Sequence, residues 1–203
     1  MYSITYKISN VKKILILCFL FGWGEFLSAQ SPISVAGTPT ISAVTSGNWT
    51  DPNTWGGNLP ATDDRILIPD GIVVSLDAEI EPPFKSLSLQ GGTLRFATDV
   101  NTELRVEYLV SNPTGRLEVG SRTAPIASDV TALLVFADRW GTTPAEDPEL
   151  FAPGAVLMGP VEMRGSEKTS WTTLQVQPEA GASRLVLERV PVGWAVGDRL
   201  VVA

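Results

Sequence analysis

The sequence predicts an all-β fold: a solenoid-like roll of short strands that leads toward a parallel β-helix. An antiparallel β-sandwich is the rival architecture. Three observations carry this expectation. Apolar and polar residues alternate over short runs bounded by Gly, Pro and Asn, the pattern of half-buried strands. No window of a dozen residues carries a helical stripe, and the best candidate, Glu146 to Phe151, is one turn at most. Gly71, Gly92 and Gly115 each open an apolar strand, 21 and 23 residues apart, which is the scale of one solenoid coil.

Residues 1–29 read as a secretory signal peptide. Lys7, Lys12 and Lys13 supply a positive flank, Ile14 to Gly24 is apolar, and small residues precede a cleavage point after Ala29. The apolar run is well short of the roughly 20 residues a spanning helix needs. Removing this leader leaves 12 basic against 21 acidic side chains, a net charge of −9, and removes Cys18, the only cysteine. The exported chain therefore has no disulfide to rely on and must be held by packing and backbone pairing. Residues 30–44 read as a linker or a first edge strand.

The run from Thr45 to Pro60 places Trp49 and Trp55 among three glycines and two prolines. Gly and Pro break an α-helix, and Asn, Asp and Thr bond the nearby backbone instead. The run is therefore an ordered turn. Either its indoles lid a β core, or one of them stays outside and stacks on a sugar ring.

Strand patterning follows. Ile66 and Ile68, Leu87 and Leu89, Leu94 and Phe96, and Leu117 and Val119 are the apolar members of alternating runs. If Gly92 and Gly115 stack, Leu94 lies over Leu117, Phe96 over Val119, and Arg95 over Glu118 on the outside. Val74 and Leu76 are the inward pair of the preceding coil, one residue out of step, so a bulge is expected there. Leu133 to Phe136 is a continuous apolar run, expected to be a fully buried strand. Arg139 to Pro153 reads as a long loop. Its acids Glu146, Asp147 and Glu149 are a weak Ca²⁺ candidate set, more plainly a solvated tip. Asp64 is expected to cap or orient the strand after it. Val156 to Met163 alternates again. Residues 166–203 end in the apolar run Leu200 to Ala203, read as the beginning of a following, truncated β-helix region.

Gly-Asn-Trp-Thr-Asp-Pro-x-Thr-Trp-Gly-Gly-x-Leu-Pro, from Gly47, resembles the opening of the G-eight (eight-glycine) domain family. This extracellular module occurs in fibrocystin and in the cell-migration-inducing hyaluronidase and its transmembrane relative. Asp64 to Asp77, Ser86 to Phe96 and Gly115 to Gly120 resemble its later strands, so the resemblance spans residues 45–165.

Chemistry is limited by composition. The chain has no histidine, which removes imidazole catalysis and His metal sites. Beyond the leader, Lys85, Lys168 and Tyr108 are the only Lys and Tyr, and neither a Gly-x-Ser-x-Gly elbow nor a phosphate-cradling loop occurs. A carboxylate pair for glycoside hydrolysis stays arithmetically open. The acidic balance disfavours nucleic acid and repels an anionic polysaccharide on average. Together with the resemblance, this implies a secreted, non-catalytic binding or capping module at the N-terminal end of a larger β-helix protein. It would meet an extracellular glycan or protein, with no membrane contact after signal cleavage and no cofactor. The candidate contacts are Trp49, Trp55, Trp140 and Trp171, of which at least three are expected to be mostly buried. Two alternatives remain open: a hyaluronidase-like depolymerase whose chemistry lies beyond residue 203, and a purely structural cell-surface protein.

Overall fold

A computed structural model describes residues 37–141, 143, 147 and 151–202. The leader at 1–29, the first part of 30–44, and Glu146 and Glu149 lie outside the described residues.

The described strands, β1–β11 in chain order, form two sheets. One holds β1 (Ile41–Ser42), β3 (Arg65–Pro69), β5 (Glu79–Gln90) and β7 (Thr102–Ser111), then β9 (Ala132–Phe136) and β10 (Gly154–Leu157). The other holds β2 (Gly47–Asn48), β4 (Val73–Leu76), β6 (Thr93–Phe96), β8 (Arg116–Val119) and β11 (Val161–Met163). The chain visits the two sheets alternately up to β9. Every pairing between these strands is parallel, so the antiparallel sandwich is not formed. Among the described residues the one helical element is a 3-10 turn, Pro52–Trp55.

Parallel pairing needs a crossover for each return, and the glycines make one crossover tight. A Cβ at Gly115 would lie 2.2 Å from the Leu89 carbonyl oxygen, and one at Gly92 would lie 2.5 Å from that of Pro69. One at Gly159 would lie 1.8 Å from the carbonyl oxygen of Gly115. Side chains are excluded because successive backbones touch at this corner.

The register expected for β6 and β8 is present: Leu94 pairs Leu117, Arg95 pairs Glu118 and Phe96 pairs Val119. On the outer face the Arg95 guanidinium lies 3.0 Å from Glu118, and Arg116 lies 3.0 Å from Glu162 on β11. The bulge expected before β4 is not needed. Val73 pairs Thr93, which carries Gly71 opposite Gly91 rather than Gly92. The observed irregularity lies between β5 and β7, at Ile80 to Phe84.

Inward residues of the two sheets close the core. Ile66, Leu87 and Leu109 form one ladder and Val74, Leu94 and Leu117 another, all essentially inaccessible. Full burial of each such side chain contributes about 1.5–3 kcal/mol.

Three strand expectations are corrected. Leu133 to Phe136 is a strand, β9, but Leu133 and Phe136 are 45% and 38% exposed. Among the described residues it is bonded on one side only, to Thr102–Val106 of β7, and so is an edge rather than a centre. Val156 to Met163 is not one strand, because the chain turns at 158–160 from the first sheet to the second. The run 199–202 forms no strand.

Candidate functional site

The tryptophan-bearing turn is built by its own small residues. Asp51 caps the 3-10 turn by accepting from the Asn53 amide, Pro52 sits at its first position, and Gly56 ends it with a φ of 77°. The Thr54 hydroxyl donates to the Asn48 carbonyl at 2.8 Å, where any side chain at position 47 would collide with it. The turn is tied to the loop after β4 by the Thr50 hydroxyl, which donates to Asp77 at 2.6 Å.

Trp49 and Trp55 are thereby turned into the core, 2% and 4% exposed. Their rings meet edge to face with centroids 5.0 Å apart, and Trp49 packs on Phe84 at 5.6 Å. The Trp55 indole N–H donates to the Trp49 carbonyl at 2.8 Å. Both ring surfaces are spent on protein, so the candidacy of Trp49 and Trp55 as sugar-stacking residues is corrected: they are the lid.

Trp140 and Trp171 differ. Trp140 is only partly exposed and Trp171 is 75% exposed, so three of the four indoles are mostly buried, as expected. Trp171 lines a hollow of 830 Å³ with Leu174, Leu187 and Trp194. Nearby, Lys168 holds Asp198 at 2.6 Å. That hydrogen bond, with one from the Ala195 amide, keeps the Asp198 carboxyl below its usual value.

Trp140 sits where polar groups converge on the outer face of the first sheet. Asp63, Arg65, Lys85 and Trp140 line a pocket of 300 Å³. Asp63 occupies the left-handed region at φ 69°, unusual for a non-glycine residue, with its amide donating to the Pro83 carbonyl. Its Oδ1 accepts the Trp140 indole N–H at 2.8 Å across 77 residues of sequence. Next to it Asp64 does orient the strand that follows, accepting from the Thr40 hydroxyl and the Ala61 amide, both at 2.7 Å.

Beneath the pocket lies a buried ion pair. The Lys85 ammonium is 2.6 Å from Glu107, whose side chain is wholly inaccessible, and 5.3 Å from the Trp140 ring centroid. The Arg139 guanidinium stands 5.7 Å from the same ring. Lys85 is thus committed to Glu107. Arg65, half-buried beside the Gly37 backbone, has no carboxylate within salt-bridge distance among the described residues. It keeps a fork of donors for something else.

The adjacent stretch Glu107–Ser111 of β7 is buried residue after residue, so both faces of the sheet are covered there. Asp147 does part of this covering. It is 2% exposed and accepts the Tyr108 phenol at 2.6 Å and the Ala152 amide at 2.7 Å. Asp147 is therefore not part of a solvated tip. Among the described residues no three metal-ligating side chains gather.

Sequence reasoning missed Asp63, Arg65, Lys85 and Glu107 as a group. The available signal was the run Arg105 to Ser111, which carries Glu107 and Tyr108 through a stretch too apolar to be half-exposed.

Comparison with known proteins bears on the whole unit. Residues 54–175 match the family model of the G8 domain. The chain is 28% identical to Fibrocystin-L of Homo sapiens over 190 residues, 91% of its length. It is 30% identical to Fibrocystin-L of Mus musculus over 161 residues, 76% of its length. It spans 4% of the length of each of these curated relatives. No solved structure matches it.

Proposed function

Because the chain belongs to the G8 domain family, we propose that it is an exported, non-catalytic module that caps one end of a parallel β-solenoid and meets an extracellular glycan or protein on its outer face. The observation that carries the capping half is the lid. The first strand of each sheet is two residues long, and Trp49 and Trp55 close the core immediately beside them. A solenoid exposes a template of unpaired backbone at its ends, and terminal elements must blunt it. Two-residue edges under a packed indole pair do so. Alternate visits to two parallel sheets, with corner glycines in backbone contact, support the solenoid reading over other parallel arrangements.

The binding half rests on the aromatic surface left over, Trp140 and Trp171, since the other two candidates are core. Extracellular placement rests on the leader and on the family. Hydrogen exchange of the chain from Gln30 onward tests the cap. Amides of β3 and β4 should be protected as well as those of β5 and β6. Fraying of β3 and β4 to the level of ordinary edge strands would refute capping. Release of oligosaccharide products from hyaluronan by this chain alone would refute the non-catalytic part.

A further inference from the structure

The geometry points to the pocket of Asp63, Arg65, Lys85 and Trp140 as a recognition site for one neutral sugar residue, held through a pair of adjacent hydroxyls. This deepens the glycan half of the function proposed above and rests on it.

Size and chemistry both lead there. At 300 Å³ the pocket is at the small end of ligand sites, enough for one ring and not for a folded segment. Two neighbouring sugar hydroxyls present donors and acceptors together, so their complement is an acceptor beside a donor. Asp63 and Arg65, two residues apart in sequence, both line the pocket and supply one of each. Among the described residues, Asp63 spends Oδ1 on Trp140 and its other oxygen has no protein partner, and Arg65 has no carboxylate partner. Asp63 accepts and Arg65 donates. The indole of Trp140 supplies the apolar wall that C–H faces of a sugar prefer.

Charge argues for a neutral ring over an acidic one. Glu107 already neutralises Lys85, and Asp63 stands beside Arg65 in the lining itself. An added carboxylate would face Asp63 within the same small pocket, in a chain whose net charge is −7. Rigidity also fits. Asp63 is pinned by the Trp140 indole and the Pro83 carbonyl in a conformation that Asn tolerates, and the buried Lys85–Glu107 pair fixes the floor.

The test uses the chain from Gln30 onward and a panel of neutral gluco-, manno- and galacto-configured tetrasaccharides with the corresponding uronates, titrated by tryptophan fluorescence and calorimetry. At least one neutral series should bind. Asp63→Asn, which keeps the left-handed backbone, and Arg65→Gln should each weaken it by about tenfold or more, the cost of one hydrogen bond to a charged group. Thermal melting should show both variants folded. Neutral binding that is indifferent to both variants would place the sugar elsewhere and overturn this inference alone. Binding restricted to uronates, strengthened by Asp63→Asn, would overturn the neutral class while leaving glycan recognition intact. No binding by any member of the panel would overturn this inference and the glycan half of the proposed function together, leaving a protein partner.

Discussion

The indole nitrogen of Trp55 donates to the backbone carbonyl of Trp49, 2.8 Å away and out of reach of water. This one bond ties both tryptophans into the lid, and it separates two kinds of damage. Trp55→Ala removes a ring that is 4% exposed and should cost roughly 3–5 kcal/mol. Trp55→Phe keeps most of the ring but strands the Trp49 carbonyl, and should cost about 1–3 kcal/mol. Urea unfolding of both variants measures the difference. A Trp55→Phe loss near zero would mean that the bond contributes nothing of its own.

At the tight corner Gly115→Ala should destabilise by about 3 kcal/mol or more, because its Cβ would meet the Leu89 carbonyl oxygen at 2.2 Å. Gly71→Ala is the control. Its φ is 74°, but a Cβ there meets nothing within 4 Å, so only the left-handed backbone cost of about 1–2 kcal/mol remains. Denaturant midpoints for the pair check this, and similar losses would remove the case for backbone contact at the corner.

Lys85→Met deprives Glu107 of an ammonium 2.6 Å away in a wholly inaccessible position, and should cost about 3 kcal/mol. The double variant Lys85→Met with Glu107→Leu should recover most of that loss, since two apolar side chains can fill the same space. A double variant no better than the single one would show that Glu107 has a further task.

Asp198 titrates below its ordinary value of 3.8 because Lys168 and the Ala195 amide hold its charged form. A carboxyl whose folded-state pKa is depressed lends its stabilisation above the unfolded value and loses it as pH falls through the folded one. The Ala195 amide resonance should therefore shift with a midpoint below 3.8, and Asp198→Asn should abolish that transition. The pair lies at the surface, so the global melting temperature should not follow it.

Much of the sheet pattern was legible in the sequence, and for a physical reason. In β6 and β8 one face meets the core and the other meets water, so period two is written directly into Leu94, Phe96 and Leu117. Glycine spacing also puts Arg95 over Glu118. The same reasoning failed for the outer-face pocket. Ser86, Ser88 and Glu107 are buried although they alternate with core residues, and on this face Asp147, from beyond β9, accepts the Tyr108 phenol. Asp63 and Trp140 are 77 residues apart, and no local period encodes such a meeting. Glycine counting was also one residue off at Gly91 and Gly92, where one adjacent glycine supplies a positive φ and the other supplies close approach.

The two crossings between the sheets are not equivalent. From the first sheet to the second the chain turns within 91–92, 112–115 and 158–160, where stacked glycines leave no room. The returns at 77–78 and 97–101 hold no glycine, that at 120–131 is tight only at its first residue, Gly120, and the three differ in length. Inserted segments, whether acquired by descent or grafted by design, should be accommodated on that second margin, so lineages of this domain can vary along one side while the opposite side stays the same.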